Sequence, residues 1–281
     1  MLNVIQIIKE QSKLSELDRV LEPTELMTDR EQVQSYSVAS QWGGLMDGLH
    51  IYHLCRLARL IRPNDTVVDL CCGSANFLIK CAEIFPENYF IGIDNSEEML
   101  NNARFQVKAK GLSNIEFFKD DVTNLKNIPN SFKADVVIST MAIHHLPNLI
   151  HLELFFIQVY KLLKNNGVVY IADLVRPKTE SALNLFVRDV QNRTDLNIFT
   201  QDYKNSLQAA FSEEDIQTII KKHNMRGLVL KTTKAMKFLF VLQSANNRVS
   251  FWKSKKINKI PIFKVKLSCW IEFVLLKLFV K

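Results

Sequence analysis

Hydrophobic residues between positions 44 and 174 alternate between two patterns. Short apolar runs rich in β-branched and aromatic residues have the length of buried strands, and they lie at 66–70, 89–94, 115–121, 134–140 and 168–174. Longer segments carry apolar residues at helical spacing, and they cover 44–61, 76–85, 96–111 and 149–167. Because parallel strands joined through helices cross over in a right-handed sense, the alternation predicts a mainly parallel sheet covered by helices.

Weaker patterns flank this alternation on both sides. Ser212 and Asp215 have the spacing of a capping box, which predicts the start of a helix. Two β-rich runs within 227–244 are expected to pair as a hairpin that closes one sheet edge. Further helices are expected around 3–20, 29–40 and 212–223. Together these elements predict a Rossmann-like, doubly wound α/β fold, with a seven-stranded, mainly parallel sheet, an antiparallel edge strand and helices on both faces.

Composition divides the chain into three regions. Hydrophobic residues make up 47% and charged residues 23% of the 281 positions, which is ordinary for a globular protein. The formal net charge is +7, and nine of the 36 basic residues lie within 247–281 together with one of the 29 acidic residues. We therefore expect an N-terminal helical cover at 1–62, a nearly neutral α/β domain at 63–246 and a basic, hydrophobic C-terminal segment at 247–281.

The C-terminal segment leaves three interpretations open. Its apolar stretch at 267–280 contains Glu272 and Lys277, and it is too short and too charged to span a bilayer. It could pack on its own domain or on a second subunit in a homodimer, lie on an anionic membrane surface, or dock an acidic partner protein. A basic tail by itself is weak support for nucleic-acid binding, which we do not expect.

The cysteines predict a reducing environment and no metal site. The chain has five cysteines, their spacing is unlike that of a metal site, and Cys71 and Cys72 are adjacent. The first residues carry charges and no apolar run that ends in a small-residue cleavage site, so no secretory signal is indicated. A cytoplasmic protein is expected, with membrane association confined to the C-terminal segment.

Polar and small residues follow the first three predicted strands and indicate a ligand that contains adenosine. In an open parallel sheet, ligands lie beyond the carboxyl ends of the strands, and the small residues after Asp69 let a ligand approach the backbone. Asp94 ends the second strand, where an acid can accept hydrogen bonds from both ribose hydroxyls. Asp120 and Asp121 end the third strand, where they can meet an adenine edge.

Two adenosine ligands compete for this site. A nicotinamide dinucleotide needs a G-x-G-x-x-G turn for its pyrophosphate, whereas Gly73 is the one glycine in the turn at 70–76. S-adenosylmethionine has no phosphate, and its cationic sulfonium suits acidic surroundings. The turn therefore favours S-adenosylmethionine.

Five segments between about residues 60 and 175 resemble the class I S-adenosylmethionine-dependent methyltransferases. They read "VVDLCCGSA", "IGIDNSEEML", "FFKDDV", "ADVVISTMAIHHL" and "LLKNNGVVYIADL", and they occur in the order that this family shows. The chain departs from the commoner D-x-G-x-G-x-G turn at Cys71 and Ala75, where a similar C-C-G-T-A turn is familiar in quinone-methylating members of the family. The resemblance implies S-adenosylmethionine as the cofactor.

The resemblance also implies a set of cofactor residues. Asp69 and Gly73 would shape the loop around the methionine part, Asp94 would bind the ribose, and Ser139 would line the junction of cofactor and substrate. The full set is Asp69, Cys71, Gly73, Asp94, Asn95, Met99, Asp120, Asp121, Val122 and Ser139.

Some of these assignments have alternatives. Asp120 could replace Asp121 at the adenine amino group, and Met99 could be ordinary helix packing. Cys71 and Cys72 are expected to be small apolar fillers and not nucleophiles, because no basic residue adjoins them in the sequence.

Methyl transfer from a sulfonium needs positioning more than acid–base chemistry. Positioning can contribute about 7–11 kcal/mol, and a general base helps where the acceptor is a hydroxyl or thiol. His144 and His145 follow the fourth strand and are the candidate bases, with helix capping or packing as the alternative. Tyr203 is a further catalytic candidate, and with Asp202 it could lie on a lid; Arg176 could bind an anionic substrate.

The residues after the fourth strand favour a small-molecule acceptor. Enzymes that methylate exocyclic amines often carry an N-P-P-Y-like stretch there, whereas this chain has "STMA". No basic, aromatic-rich stripe for RNA is evident in the body of the chain. A small, lipophilic or secondary-pathway acceptor is expected; a protein or RNA methyltransferase and a non-catalytic S-adenosylmethionine-binding module are the alternatives.

Overall fold

The computed structural model describes residues 4–14, 17–23, 30–223, 225, 227–233, 236–249, 260, 266, 269 and 272–274. Its strands are β1 (Thr66–Leu70), β2 (Tyr89–Asp94), β3 (Ile115–Lys119), β4 (Ala134–Thr140), β5 (Leu163–Leu174), β6 (Leu228–Thr232) and β7 (Leu239–Ser244). Its helices are α1 (Val4–Gln11), α2 (Arg30–Ser40), α3 (Asp47–Leu57), α4 (Asn76–Ile84), α5 (Glu97–Lys110), α6 (Leu149–Leu162), α7 (Glu180–Gln191), α8 (Asn197–Ala209) and α9 (Glu213–Lys222), with a short 3-10 turn at Ile143–His145.

The seven strands form one sheet in the order β3-β2-β1-β4-β5-β7-β6. β1 is parallel to both β2 and β4, and β3 and β5 continue the parallel pairing on either side. β7 is antiparallel to β5 and to β6, so the predicted closing hairpin is confirmed, with β6 at the outer edge. Strand order reverses between β1 and β4, which is where a doubly wound sheet leaves a crevice at its carboxyl ends.

Both faces of the sheet are buried, which explains why its strands are nearly continuous apolar runs. Neighbouring residues of each strand point to opposite faces, so Val67 packs in one core and Val68 in the other. α3 and α4 cover the first face, and α6 and α9 cover the second. The predicted Rossmann-like fold is confirmed.

Sequence reasoning missed α7 and α8 and made three helices too long. The helix expected around 3–20 ends at Gln11, and the one expected at 44–61 spans Asp47–Leu57. α6 ends at Leu162 and β5 begins at the next residue, whereas we expected the helix to reach 167. α7 buries Leu183, Phe186 and Val190 at helical spacing. Its apolar face packs against α1 and α8 in a third core, so the pattern for a helix was present at 180–191.

The capping box that begins α9 is confirmed. The Asp215 backbone N–H donates to Ser212 Oγ at 3.0 Å, and the Ser212 backbone N–H donates to Asp215 Oδ2 at 2.9 Å. Two of the donors that every helix start leaves unpaired are thereby satisfied, and the helix begins where the sequence indicated.

Most of the predicted C-terminal segment at 247–281 lies outside the described residues. Among those described, Cys269 Sγ lies 3.5 Å from the carbonyl oxygens of Gly44 and Leu45. Glu272 forms an ion pair with Arg193 of the loop after α7, at 2.9 Å. These residues therefore pack on the body of the same chain. Within the described ranges, none of the helices combines the length and apolarity that crossing a bilayer requires.

A buried ion pair joins α3 to α4. Lys80 is 2% exposed, and its ammonium lies 2.9 Å from Asp47 Oδ1 and 2.8 Å from His50 Nδ1. The same ammonium lies 4.3 Å above the ring of Trp42. Burial lowers the pKa of Lys80, and the Asp47 carboxylate opposes that shift. The pair therefore stabilises the N-terminal cover against the α/β domain only while both partners are present.

Replacing Lys80→Met should destabilise the protein by about 3–5 kcal/mol, because Asp47 is left buried without its partner. Urea denaturation followed by circular dichroism measures the free energy of unfolding. Lys110→Met is the matched control, since it breaks a more exposed Lys–Glu pair on α5 and α4 and should cost less than about 1 kcal/mol. Equal losses in the two variants would contradict the role given to the buried pair.

Candidate active site

A cavity of about 330 Å³ lies at the carboxyl ends of β1, β2 and β4, where strand order reverses. The loops after these strands and after β3 form one side. The N-terminal part of α4 lies beside the first loop. α2, α3 and α8 form the opposite side. Residues that are distant in sequence therefore face one space.

The loop after β1 adopts an unusual backbone. Cys71, Gly73 and Ala75 all have positive φ, at +60°, +55° and +57°. Residues other than glycine rarely adopt this backbone conformation. The Gly73 backbone N–H donates to Asp94 Oδ2 at 2.8 Å, which ties the loop to the end of β2. A Cβ on Gly92 would lie 2.7 Å from Cys72 Sγ, so a glycine is needed there for the loop to seat against β2.

The two cysteines of this loop are poor nucleophiles. Burial raises the pKa of both thiols well above the ordinary value, and the nearby carboxylates of Asp94 and Asp69 raise it further. Since the thiolate is the reactive form, both side chains remain protonated and unreactive at neutral pH. Their chemistry agrees with the prediction that they fill space.

Asp94 ends β2 with both oxygens held by backbone donors. Oδ2 accepts from Gly73 and Oδ1 accepts from the Ser96 backbone N–H at 2.9 Å. Burial raises the pKa of this carboxyl, and the two backbone hydrogen bonds oppose the rise. Each carboxylate oxygen has a further lone pair, and Asp94 lines the cavity together with Asn95. The side chain is therefore oriented before any ligand binds.

Asp69 is a buried carboxyl without a full set of partners. It lines the cavity at 3% exposure, and its Oδ1 has no hydrogen-bond partner among the described residues. Burial, and next the charge of Asp94, raise its pKa well above the ordinary value. An unpaired buried carboxyl oxygen that faces a cavity indicates that a bound ligand supplies the donor.

The adjacent acids Asp120 and Asp121 have different surroundings. Asp120 Oδ2 accepts from the backbone N–H groups of Lys126 and Asn127, at 2.8 and 2.7 Å, so it holds the following loop in place and does not line the cavity. Asp121 lines the cavity and accepts from the backbone and hydroxyl of Thr123. The structure thus favours Asp121 over Asp120 as the ligand-facing acid.

Ser139 lies away from the cavity. It is buried, its hydroxyl donates to the Leu70 carbonyl at 2.8 Å, and it does not line the cavity; its role at the junction of cofactor and substrate stays a prediction. Thr140 and Met141, the next two residues, line the cavity in its place. The other predicted cofactor residues that line it are Asp69, Cys71, Gly73, Asp94, Asn95, Met99, Asp121 and Val122.

His144 forms a buried pair with Asp173 at the end of β5. His144 Nδ1 lies 2.7 Å from Asp173 Oδ1, and Asp173 Oδ2 accepts from the backbone N–H groups of Ala142 and His144. Burial lowers the pKa of His144, but the charge and hydrogen bond of Asp173 outweigh it and raise the pKa above its ordinary value. Asp173 therefore determines the orientation of this ring.

Glu22 reaches both histidines from the N-terminal cover. Its Oε2 lies 2.7 Å from His145 Nδ1, its Oε1 lies 3.9 Å from His144 Nε2, and Oε1 also accepts from the Ser206 hydroxyl at 2.7 Å. Burial would raise the pKa of Glu22, but the hydrogen bond and charge of His145 and the charge of His144 lower it to about 2. Sequence reasoning missed Glu22, because nothing in the local pattern links it to a turn far along the chain.

Arg19 anchors the segment that carries Glu22. Its guanidinium donates to the carbonyl oxygens of His144, Leu146, Pro147 and Ala209 at 2.6–2.9 Å. The same group lies 4.0 Å above the Phe211 ring. Because an arginine side chain offers a rigid set of donors, these bonds hold residues 17–23 across the turn after β4.

α3 contributes two neutral histidines to the cavity wall, which sequence reasoning treated only as part of a packed helix. His50 Nδ1 lies 2.8 Å from the Lys80 ammonium. An ammonium can only donate, so Nδ1 of His50 is the acceptor and Nε2 carries the proton. His53 Nδ1 lies 2.6 Å from the Tyr170 hydroxyl, and its Nε2 has no hydrogen-bond partner within the described part of the chain.

Burial keeps these two rings uncharged. It lowers the pKa of His50 well below the ordinary value, and the charge of Lys80 lowers it further. Burial, followed by the charge of Arg56, lowers the pKa of His53 to about 3. The α3 wall therefore presents polar but uncharged groups to a ligand at neutral pH.

Tyr203 and Asp202 line the cavity from helix α8, and their place on a lid stays a prediction. Burial, and next the charge of Glu272, raise the pKa of Tyr203, so its hydroxyl keeps its proton at neutral pH. Arg176 does not line the cavity and lies 3.9 Å from Asp215. Its role in binding an anionic substrate stays a prediction.

A second cavity of about 650 Å³ adjoins the first and is mostly apolar. One end is polar, where Arg193 lies between Asp189 and Glu272. Apolar residues of α1, α3, α7 and β7 form the rest of its walls. The residues that line both cavities are Met46, Met141, Leu174, Phe199 and Tyr203. A molecule in the second cavity would therefore lie next to a ligand in the first.

Comparison with known families assigns most of this domain. A family model described as "Methyltransferase domain" matches residues 61–227, which is more than half of the chain. The match begins just before β1 and includes every strand-end residue of the cavity.

Two curated relatives and one solved structure illustrate the similarity. The carboxy-S-adenosyl-L-methionine synthase of Campylobacter jejuni is 32% identical over 119 residues, and a demethylmenaquinone methyltransferase of Listeria monocytogenes is 31% identical over 118 residues. Each match covers 42% of this chain and 48% of the relative, so the chain spans about half the length of these proteins. The crystal structure of an Aquifex aeolicus S-adenosylmethionine-dependent methyltransferase aligns with a TM-score of 0.55 at 16% identity, over 78% of this chain and 98% of that one, which supports the fold.

The stability of the protein should fall more steeply with decreasing pH when His53 is present than when it is replaced by asparagine. The folded pKa of about 3 lies below the ordinary 6.5, so between these values the unfolded chain binds a proton that the folded chain does not. That difference removes about 1.4 kcal/mol of stability for each pH unit below 6.5, and His53→Asn should lack it.

Urea denaturation of wild type and His53→Asn at pH 8, 6.5, 5.5 and 4.5 measures this effect. At pH 8 His53 is uncharged in both the folded and the unfolded wild type. The difference in the free energy of unfolding between the two proteins at that pH therefore reports the packing change alone. Parallel curves across the whole pH range would show that His53 is not held neutral by burial.

Proposed function

This chain belongs to the class I S-adenosylmethionine-dependent methyltransferases, and we propose that its acceptor is a small, mainly apolar molecule. The observation that carries the proposal is the apolar cavity of about 650 Å³, which shares a wall with the cavity at the strand ends. Cavities of this size and lining are typical of small-molecule sites. An RNA or protein segment would need an open, charged or extended groove instead.

The residues around the first cavity fit S-adenosylmethionine. When bound, this cofactor supplies a methyl group that its positive sulfur has already activated. The unpartnered Oδ1 of Asp69 suits the ammonium of the amino-acid end, and Asp94 suits the ribose hydroxyls because backbone donors already orient it. Asp121 and Val122 are then left for the adenine side of the cavity.

The mostly apolar residues that the two cavities share support an acceptor that enters from the larger one. Met141 and Phe199 contribute to both cavities, and Tyr203 adds a hydroxyl that can donate a hydrogen bond. Because the donor is activated, holding the acceptor atom against it provides most of the rate, and correct orientation can contribute about 7–11 kcal/mol. The helices α3, α7 and α8 would thus select the acceptor.

The names of two relatives are compatible with this proposal. One Listeria relative is named for methylation of demethylmenaquinone, and the Campylobacter relative is named as a synthase of carboxy-S-adenosyl-L-methionine. Both names refer to small molecules, and we extend that class to this chain, without extending either substrate.

The roles of His144 and His145 as general bases stay a prediction. Both line the first cavity, but Asp173 holds Nδ1 of His144 and Glu22 lies against both rings. A carboxylate that orients one ring nitrogen is compatible with a general base that acts through the other nitrogen, so both histidines remain candidates.

Asp94→Ala should weaken binding of S-adenosylmethionine at least tenfold, or about 1.4 kcal/mol. The variant lacks the carboxylate that accepts a hydrogen bond from Gly73 and that would accept hydrogen bonds from the ribose. Isothermal titration calorimetry with S-adenosylmethionine and with its demethylated product measures the change. Glu97→Ala, which removes an exposed acid at the start of α5, is the control and should bind like wild type. Wild-type affinity in the Asp94 variant would remove it from the proposed cofactor site.

Label from methyl-tritiated S-adenosylmethionine should appear in organic-extractable small molecules when the protein is incubated with fractionated cell extract. The apolar cavity is the reason for expecting that fraction and not bulk RNA, bulk protein or water-soluble metabolites. Val190→Phe should reduce this labelling at least tenfold and leave cofactor binding unchanged, because Val190 lines the second cavity and not the first.

Val38→Phe is the matched control, since Val38 is exposed on α2 and lines neither cavity. Label in RNA or protein would replace the proposal with a macromolecular acceptor. Cofactor binding without labelling of any fraction would favour a non-catalytic binding module.

A further inference from the structure

We propose that Glu22, His144 and His145 form a binding site for a divalent transition-metal ion in the wall of the cofactor cavity. Each residue offers one ligand atom, and these atoms lie within 4.8 Å of one another. The three residues come from the N-terminal cover and from the turn after β4. Within the part of the chain that the structure describes, they are the one group of this kind.

Hydrogen bonds from outside the group orient two of the three ligands. Asp173 holds Nδ1 of His144 at 2.7 Å, which leaves Nε2 on the side of Glu22. The Ser206 hydroxyl donates to Glu22 Oε1 at 2.7 Å. Metal-binding histidines almost always donate their other ring N–H to a carboxylate, a backbone carbonyl or water, and ligating carboxylates are likewise held by further hydrogen bonds.

The third ligand already lies against the carboxylate of the group. His145 Nδ1 lies 2.7 Å from Glu22 Oε2. In a tetrahedral zinc site with bonds of about 2.1 Å, ligand atoms lie about 3.4 Å apart. Glu22 Oε2 lies 2.7 Å from His145 and Glu22 Oε1 lies 3.9 Å from His144, values on either side of that separation, so coordination of an ion by one oxygen would require the Glu22 side chain to shift.

The ligand types and the local charge favour a transition metal. Two imidazole nitrogens and one carboxylate oxygen are ligands that suit Zn²⁺, Fe²⁺ and Co²⁺. With both rings neutral, Glu22, Asp173 and the neighbouring Arg19 sum to a single negative charge, which a divalent cation offsets. His144 and His145 also line the cavity, so a fourth coordination position would face the bound molecules.

Such an ion would give the histidine pair a second way to activate the acceptor, besides acting as a general base. This step rests on the proposed function. An oxygen of the acceptor would coordinate the ion, the pKa of a hydroxyl there would fall, and its proton would leave to water while the oxygen keeps the electron pair. The acceptor class is thereby narrowed to apolar molecules that carry a hydroxyl.

The test uses the full chain without an affinity tag, stripped of metal by a chelator and dialysed. Calorimetry with Zn²⁺ and visible absorption with Co²⁺ measure binding directly, without any acceptor. Wild type should bind one ion per chain and give the d–d absorption of Co²⁺ with nitrogen ligands. Glu22→Gln and His145→Asn should each weaken binding at least tenfold, which removal of a ligand implies.

Glu153→Gln is the matched control. Glu153 lies 2.8 Å from His223 Nε2 in an ion pair of the same type, between α6 and the end of α9, and outside the first cavity. This variant should bind metal like wild type. The proposal would be overturned if wild type bound no metal, or if it bound metal no more tightly than both ligand variants do. If circular dichroism shows that one variant does not fold, the other variant and the Co²⁺ spectrum of wild type test the proposal.

Titration of the metal-free protein with S-adenosylmethionine separates this inference from the proposed function. Cofactor binding together with no specific Zn²⁺ or Co²⁺ binding would overturn the metal site and leave the methyltransferase proposal standing. Specific metal binding without labelling of apolar small molecules would retain the metal site and remove the proposed acceptor class.

Discussion

Three carboxylates at the carboxyl ends of β1, β2 and β5 impose the main constraint on this protein; Asp69 and Asp173 are buried and Asp94 is half-buried. A carboxylate out of water is costly unless donors or a cation surround it. Asp94 receives two backbone donors, and Asp173 receives His144 and further backbone donors. Asp69 keeps an oxygen without a partner. Asp94 and Asp173 hold the loops that shape the crevice. Asp69 gains its missing hydrogen-bond partner only when a ligand is bound.

The sheet could be predicted because its strands are buried on both faces and stand out as short apolar runs. The acids at strand ends could be predicted for the same reason, because a polar residue that ends an apolar run lies at the carboxyl end of the strand. Asp120 and Asp121 mark the limit of this reasoning. They are adjacent in the sequence, yet one holds a loop and the other faces the cavity, and only the backbone path distinguishes them.

The residues that sequence reasoning missed come from outside the alternating region or from its helices. Glu22 reaches its partners across a long separation in sequence, and no local periodicity marks it. His50 and His53 lie on a helix whose pattern indicated packing alone, and their environment depends on Lys80 and Tyr170 from other elements. The cofactor side of the site thus follows from strand order, whereas the acceptor side depends on how the N-terminal cover and α8 pack over it.

The contacts of Arg19 extend the structural unit beyond the residues that the family model matches. The family match spans residues 61–227, and Arg19 lies well before it, yet its guanidinium pairs with four backbone carbonyls on the turn after β4 and at the end of α8. A fragment trimmed to the matched residues would leave those acceptors to solvent and uncover the Phe211 ring. The evolutionary module and the autonomous structural unit therefore have different boundaries in this chain.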